Sequence, residues 1–450
     1  MFLRILTIFI IFFISVEARS EIIINNFDQT TELINSGRKV KATLQAVVKN
    51  LPPHSLHSGF TITFSGEQNT IIADVKFNSK TPKYTFKNNE LAITFDEGKM
   101  NNERFSLSYS YIREDKNIDK HLRKEAIFAP VWAKGAKAKI ILNIGANFDV
   151  ISLNKNIKKI GNQLYFEGQV PESGFAEIIQ LTPKSTIWNV QVKSSVTSQT
   201  NLIDLEAKIP VYFFNGGQKN DNNFTTSTPD SSFGFKAKDL YILKYNNVNI
   251  SKVDILISSI VSTGTLNQQL IMRDPRDYLA VSKSDWLLLG ATLVKIRSDP
   301  TLQYLPLYAK IGFYVHDYIK YDKSYVGKLL SNASILSLQK GVCTEYAQLY
   351  NTLARMAGIP SQIINGIAKG EYDEFEGHSW NLIYINNKWQ QVDATWNLMS
   401  GNVSSSHIYF YDNGAKSIEA SWKEKQDGSL ANVVLTTDFQ AKEIILNKIR

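Results

Sequence analysis

The spacing of apolar residues changes near Asp277, and this change constrains the fold more than any other feature of the chain. Before it, apolar residues recur at every second position, as in Val40–Val48 and Phe105–Tyr111. This period is typical of half-buried strands, and short strands separated by turn residues predict antiparallel β-sandwich-like domains. After it, apolar residues recur every three or four positions, which predicts helices. The predicted fold class is therefore α+β, with the β domains first and a mixed module after them.

Three helices are predicted in this second part of the chain. Ser284–Ile296 and Leu307–Tyr318 have the apolar spacing of the first two. The third begins at or just before Cys343. Gly358 suits the left-handed position that ends a helix, and Pro360 cannot continue one. A sulfur at the start of this helix lies at the positive end of the helix dipole, which favours the thiolate.

A β-hairpin is predicted to follow the third helix. Its strands are Ser379–Ile385 and Lys388–Asp393, and an Asn-Asn pair forms the two-residue turn. The register set by this turn places Asp393 opposite Trp380. His378 lies two residues from Trp380 and therefore on the same face of the sheet. The imidazole and the carboxylate are then diagonal neighbours within reach of each other.

The side chains that suit a catalytic role come from this helix and hairpin. Cys343 is the only cysteine of the 450 residues, and its alternative interpretation is a small buried apolar residue. His378 and Asp393 follow it in the order of sulfur, base and orienting acid that a thiol nucleophile requires. His407 is the one rival for the base. The Cys343 backbone N–H and one further donor would hold the oxyanion, and Gln339 is a candidate for that donor or else a surface side chain.

Three stretches resemble the core motifs of the transglutaminase-like superfamily in residues, order and spacing. They read GVCTEYA at 341–347, GHSW at 377–380 and QVDATWN at 391–397. The resemblance covers residues 277–412 and implies a papain-like or transglutaminase-like α+β core there. It places the family's nucleophile, base and orienting acid at Cys343, His378 and Asp393. One departure is Ala394, where the family usually has proline.

The resemblance also implies an activity. A transglutaminase-like cysteine acyltransferase or peptidase attacks a peptide or glutamine carboxamide carbonyl and forms a thioester. Water then gives hydrolysis and an amine gives cross-linking; we predict hydrolysis, with a cross-linking transglutaminase as the alternative. A non-catalytic envelope-binding protein with a relic core is a further alternative. Trp380, Glu345 and Tyr346 lie beside the motif residues and are candidates for the substrate cleft.

The N-terminus has the pattern of an export signal. Arg4 precedes the apolar run Ile5–Ile14, and Val16–Ala18 resembles a cleavage site. The run is too short to span a bilayer. We predict that residues 1–19 are a cleaved signal and that the protein is periplasmic or extracellular. An uncleaved anchor is the alternative, and only this alternative implies membrane association.

Charge and motif content argue against nucleic-acid and metal binding. The net charge of +8 is spread along the chain, without a helix-turn-helix, zinc-finger or RNP-type motif. Acidic residues at 371–376 lack the EF-hand pattern, so we predict a solvated loop rather than the calcium site of some animal family members. No metal and no cofactor is expected. The expected partner is a protein or peptide substrate, with envelope peptides as one candidate, and the oligomeric state is left open.

Four domains are predicted after the signal. They are a β-sandwich at 20–124, a second β-rich region at 125–276, the core at 277–412 and a C-terminal extension at 413–450. The polar segment 215–234 is interpreted as a linker or mobile loop, or else as the tip of a long hairpin. A short helix is predicted at Phe439–Ile449.

Overall fold

A computed structural model divides the chain into two compact units. Unit 1 comprises Met1–Asp149 and Asn154–Leu181, and unit 2 comprises Val150–Leu153 and Thr182–Arg450. The structure describes residues 21–34, 37–51, 54, 56–63, 70–115, 118, 121–152, 156–210, 222–226, 233–237, 240–245, 250–264, 274–370, 374–412, 419–424 and 433–443. The predicted signal at 1–19 lies outside these residues. The architecture is α+β, as predicted.

Unit 1 is built from strands. They are β1 Glu21–Ile34, β2 Gly37–Lys49, β3 His57–Thr63, β4 Thr70–Phe77, β5 Lys83–Lys87, β6 Glu90–Lys99, β7 Arg104–Glu114, β8 Arg123–Ala129, β9 Lys137–Asn143, β10 Phe148–Val150, β11 Lys158–Ile160, β12 Gln163–Gln169 and β13 Phe175–Pro183. A seven-stranded sheet has the order β11-β12-β9-β1-β2-β7-β4, and smaller sheets have the orders β3-β6-β5 and β10-β13-β8. The last residues of β10 and β13, Val150 and Thr182–Pro183, are assigned to unit 2. Alternate residues of β7 are buried, as its period of two predicts.

The boundary predicted between residues 124 and 125 is wrong. Asn26–Glu32 of β1 pairs in parallel with Lys137–Asn143 of β9, so the chain beyond 125 completes the first sheet. The region predicted at 125–276 is instead divided at residue 181, because unit 1 ends at Leu181 and Thr182 belongs to unit 2. A parallel pair needs a long connection, and strand alternation alone cannot reveal which distant strands meet.

Unit 2 begins with a sheet around one long strand. Its strands are β14 Ser185–Pro210, β15 Asn222–Thr226, β16 Phe233–Ala237, β17 Leu240–Tyr245, β18 Ile250–Gly264, β25 Glu419–Glu424 and β26 Val433–Glu443. Their order is β15-β18-β14-β17-β16, and β25 and β26 also pair with β14.

Two segment predictions fall on this sheet. In the segment 215–234, residues 222–226 and 233–234 belong to strands that pair with β18 and β17, and the other residues lie outside the described ones. The helix predicted at 439–449 is wrong for its described part, residues 439–443. Those residues pair with Trp188–Val192 of β14, and this long-range ladder overrides their weak helical spacing.

The α+β module, residues 274–412, follows the β14 sheet. Its helices are α1 Lys283–Ser298, α2 Leu307–Tyr318, α3 Asn332–Leu338 and α4 Cys343–Met356. Its strands are β19 Lys320–Tyr321, β20 Lys340–Gly341, β21 Ser361–Lys369, β22 Phe375–Ile385, β23 Lys388–Val392 and β24 Ile408–Asp412. The four-stranded sheet β23-β22-β21-β24 packs on α4. The three predicted helices are confirmed, and Gly358 follows α4 in the predicted left-handed conformation at φ 80°.

A single apolar cluster holds the module together. Leu293 of α1, Val315 of α2, Leu353 of α4 and Ile383 of β22 are among its buried members. Each such side chain contributes about 1.5–3 kcal/mol on burial. Within the described residues, no helix has the length and hydropathy needed to cross a bilayer.

Candidate active site

The first turn of α4 holds the sulfur in place. Cys343 is the first residue of the helix and is 8% exposed. Buried Glu345 turns back, and its Oε2 accepts a hydrogen bond from the Val342 N–H at 2.8 Å. A Cβ on Gly341 would lie 2.5 Å from the Glu345 Cβ, so only glycine permits this approach. The cap therefore depends on a close contact rather than on an unusual backbone angle at Gly341.

The hairpin has the predicted register. Asn381 pairs with Val392 and Ile385 with Lys388, which leaves the two asparagines of the turn unpaired between the strands. Both have positive φ, 51° and 58°, as a type I′ turn requires. Asp393 follows β23 directly.

The three predicted side chains are in contact. His378 Nε2 lies 2.9 Å from Asp393 Oδ2. The Cys343 thiol is hydrogen bonded to the His378 side chain and to the Ser379 backbone N–H. Because Nε2 of His378 is occupied by the carboxylate, Nδ1 is the ring nitrogen left for the sulfur. The order sulfur, imidazole, carboxylate is continuous.

The charges in this group stabilise one another. Burial alone raises the pKa of the Cys343 thiol, but the hydrogen bond and charge of His378 outweigh it, and the net shift is downward. Burial alone lowers the pKa of His378, but the charge and hydrogen bond of Asp393 raise it to about 10. Burial opposes ionisation of Asp393 as well, yet the two imidazoles keep its pKa well below the usual range. The site thus favours thiolate, imidazolium and carboxylate together.

A second histidine binds the same carboxylate. His407 is completely buried, and its Nε2 lies 3.1 Å from Asp393 Oδ2. The other carboxylate oxygen accepts the Thr395 N–H at 2.8 Å. His407, the predicted rival for the base, therefore contacts the carboxylate of Asp393. The Trp396 ring stacks on His378 at 4.5 Å between centroids.

This cluster also has the spacing of a metal site. The ligand atoms of His378, Asp393 and His407 lie within 4.8 Å of one another. Both imidazoles, however, are at hydrogen-bond distance from one carboxylate oxygen. The hydrogen bonds account for the positions of all three side chains without an ion.

Comparison with known proteins assigns this part of the chain to a family. Residues 300–394 match the sequence model of the Transglutaminase-like superfamily. This segment belongs to the transglutaminase-like superfamily. The chain is 31% identical over 86 residues to the kyphoscoliosis peptidase of Homo sapiens and 33% identical over 86 residues to that of Mus musculus. The matches cover 17% and 18% of this chain and 13% of each relative, so the chain spans only a small part of those proteins.

Solved structures resemble this chain more distantly. A candidate cysteine protease from Cytophaga hutchinsonii has a TM-score of 0.41 at 15% identity, covering 58% of this chain and 94% of that one. An M1 zinc metallopeptidase from Deinococcus radiodurans has a TM-score of 0.25 at 9% identity, covering 37% and 43%. Neither likeness is strong enough to support the family assignment.

The three residues predicted to line the substrate cleft lie beneath the surface of the α+β module. Trp380 and Glu345 are fully buried, and Tyr346 is 3% exposed. Trp380 donates its indole N–H to Gln391 at 2.8 Å, and the Tyr346 hydroxyl donates to the Ile319 carbonyl. Their burial contradicts the cleft prediction: these side chains fix the framework around Cys343, His378 and Asp393. Adjacency in the motif could not show this, because neighbours on a strand or helix point in different directions.

Gln339, the predicted oxyanion donor, is exposed at the end of α3. Its backbone has a left-handed φ of 52°. Its carbonyl accepts a hydrogen bond from the Lys320 N–H, which joins α3 to β19. The backbone of Gln339 therefore connects α3 to β19, and the part of its side chain in oxyanion binding stays a prediction.

Sequence reasoning missed Tyr321. β19 pairs in parallel with β20, and this register places Tyr321 opposite Gly341, two residues before Cys343. Burial raises the pKa of its phenol to about 12, assisted by the charges of Cys343 and Glu376. A protonated hydroxyl therefore lies near Cys343. Two-residue strands leave no periodic signal, so the pairing was not detectable.

Proposed function

We propose that this protein is an exported cysteine-dependent acyl-transfer enzyme that hydrolyses peptide or carboxamide bonds through a thioester. The observation that carries the proposal is the unbroken contact from Cys343 through His378 to Asp393 at a helix N-terminus. This geometry supplies a nucleophile, a proton carrier and a group that fixes the imidazole tautomer. The export signal in the sequence supports the location.

In the proposed first half-reaction, the Cys343 thiolate attacks the carbonyl carbon and forms a C–S bond. His378 gives its proton to the leaving nitrogen as the C–N bond breaks, and an amine or ammonia departs. Asp393 stays ionised throughout and stabilises the imidazolium. The product of this step is a thioester on Cys343 and a neutral His378.

Water completes the proposed cycle. His378 removes a proton from water as the oxygen attacks the thioester carbonyl, and the C–S bond then breaks. The acid product leaves, and the thiolate–imidazolium pair is restored. The Homo sapiens relative is named as a peptidase, which favours water over an amine as the acyl acceptor.

The Cys343 backbone N–H is the proposed first oxyanion donor, because it belongs to the first turn of α4. For the second donor, Gln339 remains one candidate. The Tyr321 hydroxyl is another, since its raised pKa keeps it protonated.

Alkylation of Cys343 by iodoacetamide at pH 6 tests the proposal. A thiolate held by His378 should react at this pH, and His378→Ala should slow the reaction by about tenfold or more. His54→Ala, a change at an exposed turn of unit 1, is the matched control and should react like the intact protein. An unreactive Cys343 in the intact protein would favour the binding protein with a relic core.

A second experiment distinguishes water from an amine as the acceptor of the acyl group. Peptide mixtures from a cell-envelope extract are incubated with the protein, with and without a biotin-labelled primary amine, and analysed by mass spectrometry. Cleavage or deamidation that Cys343→Ser abolishes supports hydrolysis. Cysteine-dependent incorporation of the amine as the main product would instead assign a cross-linking transglutaminase.

A further inference from the structure

The Asp393 carboxylate is shared between two imidazoles, and His378 is only one of them. Asp393 Oδ2 lies 2.9 Å from His378 Nε2 and 3.1 Å from His407 Nε2. An ionised carboxylate only accepts hydrogen bonds, so both ring nitrogens donate to it. The proposed mechanism uses one of these donors and gives the other no role.

The surroundings of His407 fix its protonation state. Its Nδ1 lies 2.8 Å from Ser404 Oγ, and Ser404 Oγ lies 2.8 Å from Ser406 Oγ. A chain of donors from Ser406 to Ser404 to His407 to Asp393 satisfies each of these groups if His407 is neutral with its proton on Nε2. Burial lowers the pKa of His407, which agrees with the neutral form.

The turn that carries His407 is anchored outside the hairpin. The Ser405 carbonyl accepts hydrogen bonds from the Trp188 indole at 3.0 Å and from Thr263 Oγ1. The Ser405 N–H donates to Thr182 Oγ1 at 2.7 Å. All three partners belong to unit 2, with Trp188 in β14 and Thr263 in β18. His407 is therefore held against Asp393 by contacts that are independent of the β22–β23 hairpin.

We propose that His407 is a positioning residue that draws charge from Asp393 and thereby keeps His378 acidic enough to protonate the leaving nitrogen. The inference rests on the proposed function. A carboxylate that accepts a hydrogen bond from one imidazole alone stabilises the proton on that imidazole more strongly. Sharing Oδ2 with a neutral donor weakens that stabilisation, while Thr395 keeps the carboxylate in place.

Few other charged groups bear on this balance. In the described part of the chain, His407 faces Asp393 and His378, the two groups whose charges act on its pKa. Asp393 faces His378 and His407, and Cys343 faces His378 and Asp393. Tyr321 is affected by Cys343 and Asp393 but stays protonated at neutral pH. Tyr346 is affected by Asp393 and also stays protonated at neutral pH, because burial raises the pKa of its phenol, and Glu345 and Glu376 act on Tyr321. The pH dependence of Cys343 alkylation therefore reports mainly on Cys343, His378, Asp393 and His407.

The test compares His407→Phe, His407→Gln and the intact protein by alkylation from pH 5 to 10.5. The thiolate reacts faster once its imidazolium partner loses its proton, so a second rise in rate marks the pKa of His378. In His407→Phe we expect this rise to move upward by about one pH unit, and peptide turnover at pH 7 to fall about tenfold. His407→Gln keeps an N–H for Asp393 and an oxygen for Ser404, and should restore both.

Controls separate this inference from simpler explanations. His57→Phe replaces a buried histidine of unit 1 and should leave the alkylation profile unchanged. Addition of EDTA to the intact protein should have no effect, and a change would assign the cluster to a metal ion and overturn the proposal.

If His407→Phe does not fold, ¹H–¹⁵N NMR of the intact protein tests the proposal through the protonation state of His407. A neutral His407 protonated on Nε2 supports the proposal, whereas an imidazolium at pH 7 overturns it.

The failures are distinguishable. An unreactive Cys343 in the intact protein contradicts the proposed function. A reactive Cys343 whose profile is the same in His407→Phe contradicts only the role of His407.

Discussion

At the scale of single residues, the site depends on one buried carboxylate. An ionised group without contact with water is costly unless hydrogen bonds replace its hydration. Asp393 is fully buried, and three donors reach its two oxygens: the rings of His378 and His407 and the Thr395 N–H. The sequence allowed the prediction of His378, because a two-residue turn fixes the register locally. It could not show that His407 reaches Asp393, because that contact depends on the path of a loop anchored to distant strands.

Asp393→Asn should remove a pH-dependent part of the stability. The pKa of His378 is raised from 6.5 to about 10 in the folded protein. Its contribution is therefore fully present below pH 6.5 and is lost as the pH rises through about 10. Without the carboxylate charge, this loss should disappear. Urea unfolding of both proteins at pH 6.5 and pH 10 measures it, and an equal loss in both would contradict the assignment.

At the scale of secondary-structure elements, the start of α4 and the hairpin were predictable, but the side-chain contacts that stabilise them were not. Apolar spacing, Gly358 and Pro360 defined α4 locally. The role of Gly341 was not predictable from spacing: its missing side chain permits the close approach of Glu345. A contact of this kind depends on side-chain placement, which spacing does not specify.

Gly341→Ala should damage the start of α4. The new Cβ would lie 2.5 Å from the Glu345 Cβ and displace the carboxylate from the Val342 N–H. We expect a loss of about 1–3 kcal/mol in the free energy of unfolding and slower alkylation of Cys343. Gly290→Ala in α1 is the matched control, since nothing lies within 4 Å of its new Cβ. It should stabilise the protein by up to about 1 kcal/mol, and equal effects of the two changes would refute the contact argument.

Trp188→Phe should weaken the anchor between β14 and the turn of Ser405. The indole N–H bonds to both Thr263 Oγ1 and the Ser405 carbonyl, and phenylalanine has no donor. Lost hydrogen bonds and a small cavity should lower the free energy of unfolding by about 1–3 kcal/mol. Trp286→Phe on the exposed side of α1 should change it by less than about 0.5 kcal/mol. Chemical denaturation compares the two, and a neutral Trp188→Phe would show that the anchor contributes little.

At the scale of the whole molecule, the order of β domains and the α+β module was predictable, whereas the boundaries were not. Hydrophobic period distinguishes strands from helices wherever they occur. It does not reveal that β9 returns to β1, or that β26 near the C-terminus pairs with β14. Such partners are separated by more than a hundred residues, so only tertiary structure selects them.

The chain divides into two compact units, and we expect a core substitution in each to act mainly on its own unit. Leu107 of unit 1 and Leu353 of unit 2 are both fully buried. Leu107→Ala and Leu353→Ala should each destabilise their own unit by about 2–5 kcal/mol. Scanning calorimetry should show a different transition shifted by each change, and only Leu353→Ala should alter Cys343 alkylation in mild denaturant. A shift of one common transition by both would mean that the units unfold together.

The single thiol of the chain has a consequence for its behaviour under oxidants. Peroxide converts a reactive thiolate to sulfenic acid, which a neighbouring cysteine often captures as a disulfide before further damage occurs. Cys343 has no such partner within its own chain. If Cys343 reacts as proposed, its sulfenic acid depends for rescue on a small thiol, another protein or a backbone nitrogen, and further oxidation to sulfinic acid would make the loss permanent.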